Sequence, residues 1–201
     1  MAAQTPVDVS RLRSEIRIKY SEVAERPDAE HHFHTGRKAL DHLGYDPETL
    51  APLPADAVDA FAGVAHVFGF GLPAKGENVV DIGSGSGTDA LIAAHAVGDT
   101  GGVIGVDMND AMLQRAQGAA ADAGLDTVEF RSGVAEELPV PGEWADVVIS
   151  NGVLNLVPDK LAAYQEIFRV TRPGGRLQVS DICVDHAVPD EAKQDVDLWT
   201  A

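Results

Sequence analysis

Cysteine is almost missing from this chain of 201 residues: Cys183 is the sole one. A single thiol excludes an internal disulfide and suits a reducing compartment. Positive charge is scarce too, with 15 Lys and Arg against 32 Asp and Glu and a formal net charge of −17. Such a field repels phosphate backbones and anionic lipid, which argues against nucleic acid or a membrane surface as partner. No apolar run approaches the ~20 residues of a membrane span. The longest, residues 60–74, is broken by His66 and three glycines. The N-terminus is polar, without a signal-peptide core, so a cytoplasmic protein is expected. Internal repeats and low-complexity tails are absent.

What is present is an ordinary globular composition, 45% apolar and 23% charged, long enough to bury one domain core. Its most informative stretch is Val79-Val80-Asp81-Ile82-Gly83-Ser84-Gly85-Ser86-Gly87-Thr88-Asp89. A β-branched run ends at an acid and three alternate glycines, and Ala90, Leu91, Ile92, Ala93 and Ala94 then favour a helix. This reads as a buried strand, a tight turn and a helix start, the geometry that receives a nucleotide-like ligand. Glycine suits such a turn because φ is free to be positive and no Cβ blocks a ligand.

Ahead of that stretch, Leu12, Ile16, Tyr20 and Val23 recur at helical spacing over residues 10–25, with Ser10 as N-cap and residues 1–9 frayed. Pro27-Asp28 stops the helix. The loop His31-His32-Phe33-His34-Thr35-Gly36-Arg37 leads to a short helix ended by Gly44. Asp46 and Pro47 open another, residues 56–61 read as one more, and a Gly-rich passage follows over 63–76. Residues 1–75 are expected to form a helical N-terminal extension or cap, and residues 76–201 the main domain. There strands are predicted over 78–82, 103–107, 127–131, 146–150 and 176–182. Helices are predicted over 88–97, from the Asn109 cap to about Ala123 with Gly124 as stop, and from Pro158 onward. The last carries Leu161, Tyr164, Ile167 and Phe168 on one face and is broken by Arg172-Pro173-Gly174-Gly175. The fold class is α/β, a doubly wound, Rossmann-like parallel sheet with helices on both faces.

Three ligands compete for the glycine turn. A Walker phosphate loop needs Gly-Lys-Ser/Thr, and no such lysine follows. A dinucleotide turn places its third glycine one residue later, where Thr88 stands. The shorter Asp81-x-Gly83-x-Gly85-x-Gly87 carries an acid that repels pyrophosphate but meets an ammonium group, directly or through water.

Asp81 to Gly87 resembles the first motif of class I S-adenosylmethionine-dependent methyltransferases. Later features match in order: Asp107-Met108, Gly133-Val134-Ala135-Glu136, and Arg172-Pro173-Gly174-Gly175-Arg176-Leu177. The resemblance implies S-adenosylmethionine as cofactor. It implies binding by Asp81, Gly83, Ser84, Gly85 and Gly87 in the turn. Asp107 would take both ribose hydroxyls, Met108 would wall the adenine, and Ala135 and Glu136 would lie at the adenine edge. Phe33-His34-Thr35-Gly36-Arg37, Gly98-Asp99-Thr100-Gly101, Val103 to Met108 and, most specifically, Ser150 to Lys160 are similar to arsenite methyltransferases. That likeness puts Asn151 beside the reacting methyl group. It puts Tyr20 near the donor's methionyl end, where Tyr20 reads equally well as an interface aromatic. Trivalent arsenic held by cysteine thiolates is the implied acceptor.

Thiolates suit a soft centre, yet the implied cysteines are not here. Gly152 stands at one position, and the sequence reaches Ala201 before the other, after Leu198-Trp199-Thr200-Ala201. Cys183 is expected to be a small core residue. The class has two further strands after strand five. Strand five is therefore expected as an open apolar edge suited to self-association, with the reading frame continuing past Ala201. His31, His32, His34 and His42 read as a surface loop rather than a metal site, and Glu136 and Glu137 as a turn rather than an acid/base pair. No catalytic residue is assigned. Three functions stay open: arsenite methyltransferase, methyltransferase for another small acceptor, and donor-binding remnant.

Overall fold

The β-branched runs bounded by glycine or acid fold as five strands: β1 Asn78–Ile82, β2 Gly102–Asp107, β3 Val128–Ser132, β4 Ala145–Asn151 and β5 Thr171–Ser180. A computed structural model describes residues 7–29, 31 and 33–199. The expected fraying of residues 1–6, His32 of the histidine loop, and Thr200 and Ala201 lie outside the described residues. All strand pairs are parallel, in the order β3-β2-β1-β4-β5. Side-chain alternation divides the sheet into two apolar layers. Val79, Val103, Val147 and Ile149 pack on one face, and Val80, Ile82, Ile104, Val106 and Val148 on the other. The doubly wound α/β sheet is therefore as expected.

Helices α1 Val9–Glu25, α2 Gly36–Leu43, α3 Pro47–Leu50 and α4 Ala55–Asp59 build the N-terminal extension, followed by a 3₁₀ turn at Val67–Phe70. α5 Thr88–Val97 and α6 Asp110–Asp122 lie on the same side of the sheet as that extension. α5 is apolar on nearly every side because it is enclosed: Ala90, Leu91, Ile92, Ala93, Ala94 and Val97 are all buried. Leu40, Tyr45, Leu50, Phe61 and Phe68 of the extension join Leu91 and Val79 in one core. α7 Lys160–Val170 covers the opposite face, and α8 Asp190–Gln194 and α9 Val196–Trp199 follow β5.

Several boundaries depart from the sequence expectation. Asp8, not Ser10, caps α1: its Oδ1 accepts from the Ser10 and Arg11 amides at 3.0 and 3.1 Å. A carboxylate satisfies two orphan amides there and its charge suits the helix N-terminus. Val7 is buried beside Leu12 and Ile16, so residues 7–9 do not fray. α7 starts at Lys160, with Asp159 accepting from the Ala162 amide at 3.0 Å, and Pro158 precedes the cap. Its inward stripe is Ala163, Ile167 and Val170, while Leu161, Tyr164 and Phe168 are exposed. β5 begins earlier than residue 176. Thr171 pairs with Ala145 and Arg176 with Val147, so Arg172-Pro173-Gly174-Gly175 forms a bulge rather than a break. The β5 edge is also less apolar than expected, for Arg172 and Arg176 lie on it, paired with Asp146 and Glu77. Cys183 is exposed rather than in the core.

Candidate active site

β1 lies between β2 and β4, so the chain leaves its C-terminal end in opposite directions and opens a crevice there, the place where open α/β sheets bind ligands. The turn after β1 is fastened to β2. Val106 O accepts from the Gly83 and Ser84 amides at 2.7 and 3.1 Å, and Asp107 Oδ2 accepts from the Gly85 amide at 2.9 Å. Gly83 and Gly85 have φ of +70° and +52°, the left-handed region that glycine tolerates. The Ser86 and Thr88 hydroxyls donate to Ala57 O at 2.7 and 2.8 Å, which pins the extension over the turn.

A cavity at this turn is lined by ten of the eleven expected donor-binding residues: Tyr20, Asp81, Gly83, Ser84, Gly85, Asp107, Met108, Ala135, Glu136 and Asn151. Gly87 does not line it. It caps α5 at φ +90°, where a Cβ would meet Phe130 Cζ at 2.9 Å and Ala116 Cβ at 3.0 Å, so its glycine serves packing. Asp107 receives the Asn109 amide on Oδ1 at 2.8 Å and keeps lone pairs on both oxygens free to accept hydroxyls. Burial raises its pKa, and these backbone amides oppose the rise. Met108 walls the cavity beside it. Glu136 lines the cavity with its carboxylate paired to Arg13 of α1 at 3.2 Å.

Sequence reasoning missed Asp89 and Tyr45. Asp89, in the first turn of α5, accepts from the Tyr45 hydroxyl on Oδ1 at 2.7 Å and from the Asn151 amide on Oδ2 at 2.9 Å. The only signal for Asp89 was an acid just inside a helix that opens on a glycine turn; Tyr45 carried none. Burial pushes Asp89 up to about 6, against the two hydrogen bonds that favour its charge. Asp81, with Asp89 and Asp107 nearby, is raised well above the carboxylate range, chiefly by burial. The Tyr20 phenol is pushed up to about 12 by burial, then by Asp107 and Asp181. Asn151 is occupied throughout. Its Oδ1 accepts from the Val64 and Ala65 amides at 2.9 and 3.3 Å, and its Nδ2 also donates to Ala65 O at 2.9 Å. It therefore clasps the extension to the end of β4.

A second cavity, about 350 Å³, shares Tyr20, Ala62, Gly63, Gly152 and Leu156 with the first. Lys19, Phe33, His34, His42, Asn155 and Trp199 are among its other walls, and no carboxylate is among the described residues that line it. The His34 and His42 rings meet edge-on at 5.9 Å, whereas His31 turns away to Arg26 O at 3.2 Å. Among the described residues no group of three His, Cys, Asp or Glu side chains forms a metal site. Cys183 lines neither cavity. Gly152, where the resemblance implies a cysteine, has φ +75° and a Cβ there would meet Val64 Cγ1 at 2.9 Å.

The family model described as "Methyltransferase domain" matches residues 73–200. The chain belongs to that family. Its methyl donor, S-adenosylmethionine, fits the cavity: Asp107 offers a hydrogen-bond acceptor beside the apolar wall of Met108, and two buried polar atoms, Asp81 Oδ2 and Ser84 Oγ, lack a hydrogen-bond partner. The domain is similar to the arsenite methyltransferase of Halobacterium salinarum, 42% identical over 83% of this chain and 42% of that protein. It is similar to that of Aquipseudomonas alcaligenes, 40% identical over 67% of this chain and 42% of that protein. Among solved structures it is similar to an arsenic(III) S-adenosylmethionine methyltransferase from Chlamydomonas reinhardtii. That match is 38% identical with a TM-score of 0.65, over 72% of this chain and 51% of that one. The methyltransferase domain thus spans less than half the length of the curated relatives it matches. No described helix is long and apolar enough to cross a membrane.

Proposed function

We propose that this methyltransferase domain binds S-adenosylmethionine in the first cavity and transfers its methyl group to trivalent arsenic in the second. The observation that carries the donor reading is the convergence of Asp81, Ser84, Asp107 and Met108 on one cavity at the sheet's switch point. Similarity to arsenite methyltransferases supports the acceptor. When bound, the donor supplies a methyl group on a sulfonium, already activated for displacement by a lone pair. The residues then have to align and shield rather than abstract a proton. Asp107 accepts the ribose hydroxyls, Met108 and Ala135 flank the base, and the glycine turn lets the backbone approach. Gly63 and Gly152 line both cavities, and the acceptor in this reading approaches the methyl carbon from the second.

Arsenic in this reading is held by thiolates that the two cavities do not supply. One observation favours a second reading, the same donor with another small acceptor: Gly152 and Val64 occupy the space of the expected thiol. A donor-binding remnant is not favoured, since a second cavity adjoins the first. Self-association through β5, the edge strand of the described sheet, stands as a proposal of its own. Incubation with S-adenosylmethionine, arsenite and glutathione, beside thiols and small organic acceptors, separates the readings by product. Methylated arsenic together with S-adenosylhomocysteine is expected. Turnover of an organic acceptor and not arsenic overturns the arsenic assignment, and no product from any acceptor overturns the transferase reading.

A further inference from the structure

The donor cavity holds more carboxyl groups than recognition of adenosine uses. Asp107 faces the ribose end, and Glu136 is neutralised by Arg13, the one cation among the described lining residues. Asp81 and Asp89 remain, both buried, with no second lysine, arginine or histidine among the described lining residues. Asp89 is held from two sides. The Tyr45 hydroxyl donates to Oδ1 at 2.7 Å, the Asn151 amide to Oδ2 at 2.9 Å, and that amide also reaches the Tyr45 hydroxyl at 3.2 Å. Tyr45 is itself fixed by the ring of Phe61, edge-on at 5.4 Å, and by the ring of His66 at 4.2 Å. Neutral donors of this kind orient a carboxylate without cancelling its charge. A buried charge kept that way is unfavourable until a cation enters.

We propose that Asp89, oriented by Tyr45 and Asn151, receives the positively charged methionyl end of S-adenosylmethionine, opposite the ribose-binding Asp107. Asp89 is then a donor-binding residue, and Tyr45 is a positioning residue that acts through it. The inference rests on the donor reading above. It gives the N-terminal extension a part in the site, because Tyr45 lies between α2 and α3. It also explains why the extension is clasped to β4 at Asn151, beside the same carboxylate.

Two ligands isolate the charge. S-adenosylmethionine carries a sulfonium, an ammonium and a carboxylate; 5′-methylthioadenosine keeps the adenosine and has none of them, so the change in their affinity ratio on Asp89→Asn reads the cationic contact. Both are titrated into the 201-residue chain and its Asp89→Asn and Tyr45→Phe variants. Asp89→Asn is expected to weaken S-adenosylmethionine about tenfold or more and to leave methylthioadenosine within about twofold. Tyr45→Phe is expected to move the same ratio in the same direction by roughly threefold. Retained methylthioadenosine binding shows that the variant is folded. Equal weakening of both ligands, or unchanged S-adenosylmethionine affinity, overturns the inference alone. Failure of the unsubstituted chain to bind either ligand overturns the donor reading beneath it. If Asp89→Asn does not fold, Tyr45→Phe, which removes one hydroxyl, decides by the same comparison.

Discussion

Three carboxylates, Asp81, Asp89 and Asp107, line one cavity, and burial raises the pKa of each. For Asp89 the value is about 6, against 3.8 for an ordinary aspartate. The folded protein then holds this proton more tightly than the unfolded chain. Asp89 therefore costs stability as pH rises from about 4 to about 6, and the whole cost is present above that. Asp89→Asn is expected to stabilise the ligand-free protein at pH 7.5 by on the order of 1–2 kcal/mol, a gain that shrinks toward pH 4. Denaturant melts at both pH values check it. A cation prefers the ionised carboxylate, so S-adenosylmethionine binding is expected to weaken about tenfold between pH 7.5 and pH 5. Calorimetry across that range reads the slope, and Asp89→Asn should flatten it. A residue kept for stability would show the opposite pattern, with its removal lowering the melt and sparing the ligand.

At the scale of elements, much was legible because short β-branched runs end at glycine or acid. β1 and α5 fall on their expected boundaries for that reason. Two features were not legible. On α7, Leu161, Tyr164 and Phe168 form an apolar row as convincing as the buried one. Only packing shows that the sheet receives the smaller stripe Ala163, Ile167 and Val170. Ile167→Ala is accordingly expected to cost about 2–4 kcal/mol, and Phe168→Ser, at a side chain 83% exposed, less than about 0.5 kcal/mol. Urea titration of the two variants distinguishes the stripes. The site divides the same way. The turn, Asp107 and Met108 are contiguous in sequence with their strands and could be read from it. Tyr45, Asp89 and Asn151 meet across separations of 44, 62 and 106 residues, with no pattern linking them.

Over the whole molecule, the extension and the sheet share one apolar core rather than meeting at a polar interface. Polar clasps reinforce the junction: Asn151 to Val64 and Ala65, Ser86 and Thr88 to Ala57, and the Asn109 amide to Arg17 O at 2.8 Å. One cooperative unfolding transition is expected. Asn151→Ala should lower its midpoint, at a cost of about 2–3 kcal/mol, because the Val64 and Ala65 amides lose their partner. Separate transitions for extension and sheet, seen by calorimetry, would contradict a shared core. The charge distribution fits the same division of labour. In a chain of net charge −17, Asp81, Asp89, Asp107 and Glu136 line the first cavity, while Lys19, His34 and His42 line its neighbour with no acid among the described lining residues.

The whole reading depends on the first cavity taking the methyl donor through Asp107. Calorimetric titration of the chain with S-adenosylmethionine, beside Asp107→Asn, tests that most directly. Saturable one-to-one binding is predicted, weakened about tenfold or more in the variant as a charged hydrogen-bond acceptor for the ribose is lost. No saturable binding by the folded protein, or binding indifferent to Asp107, would contradict it.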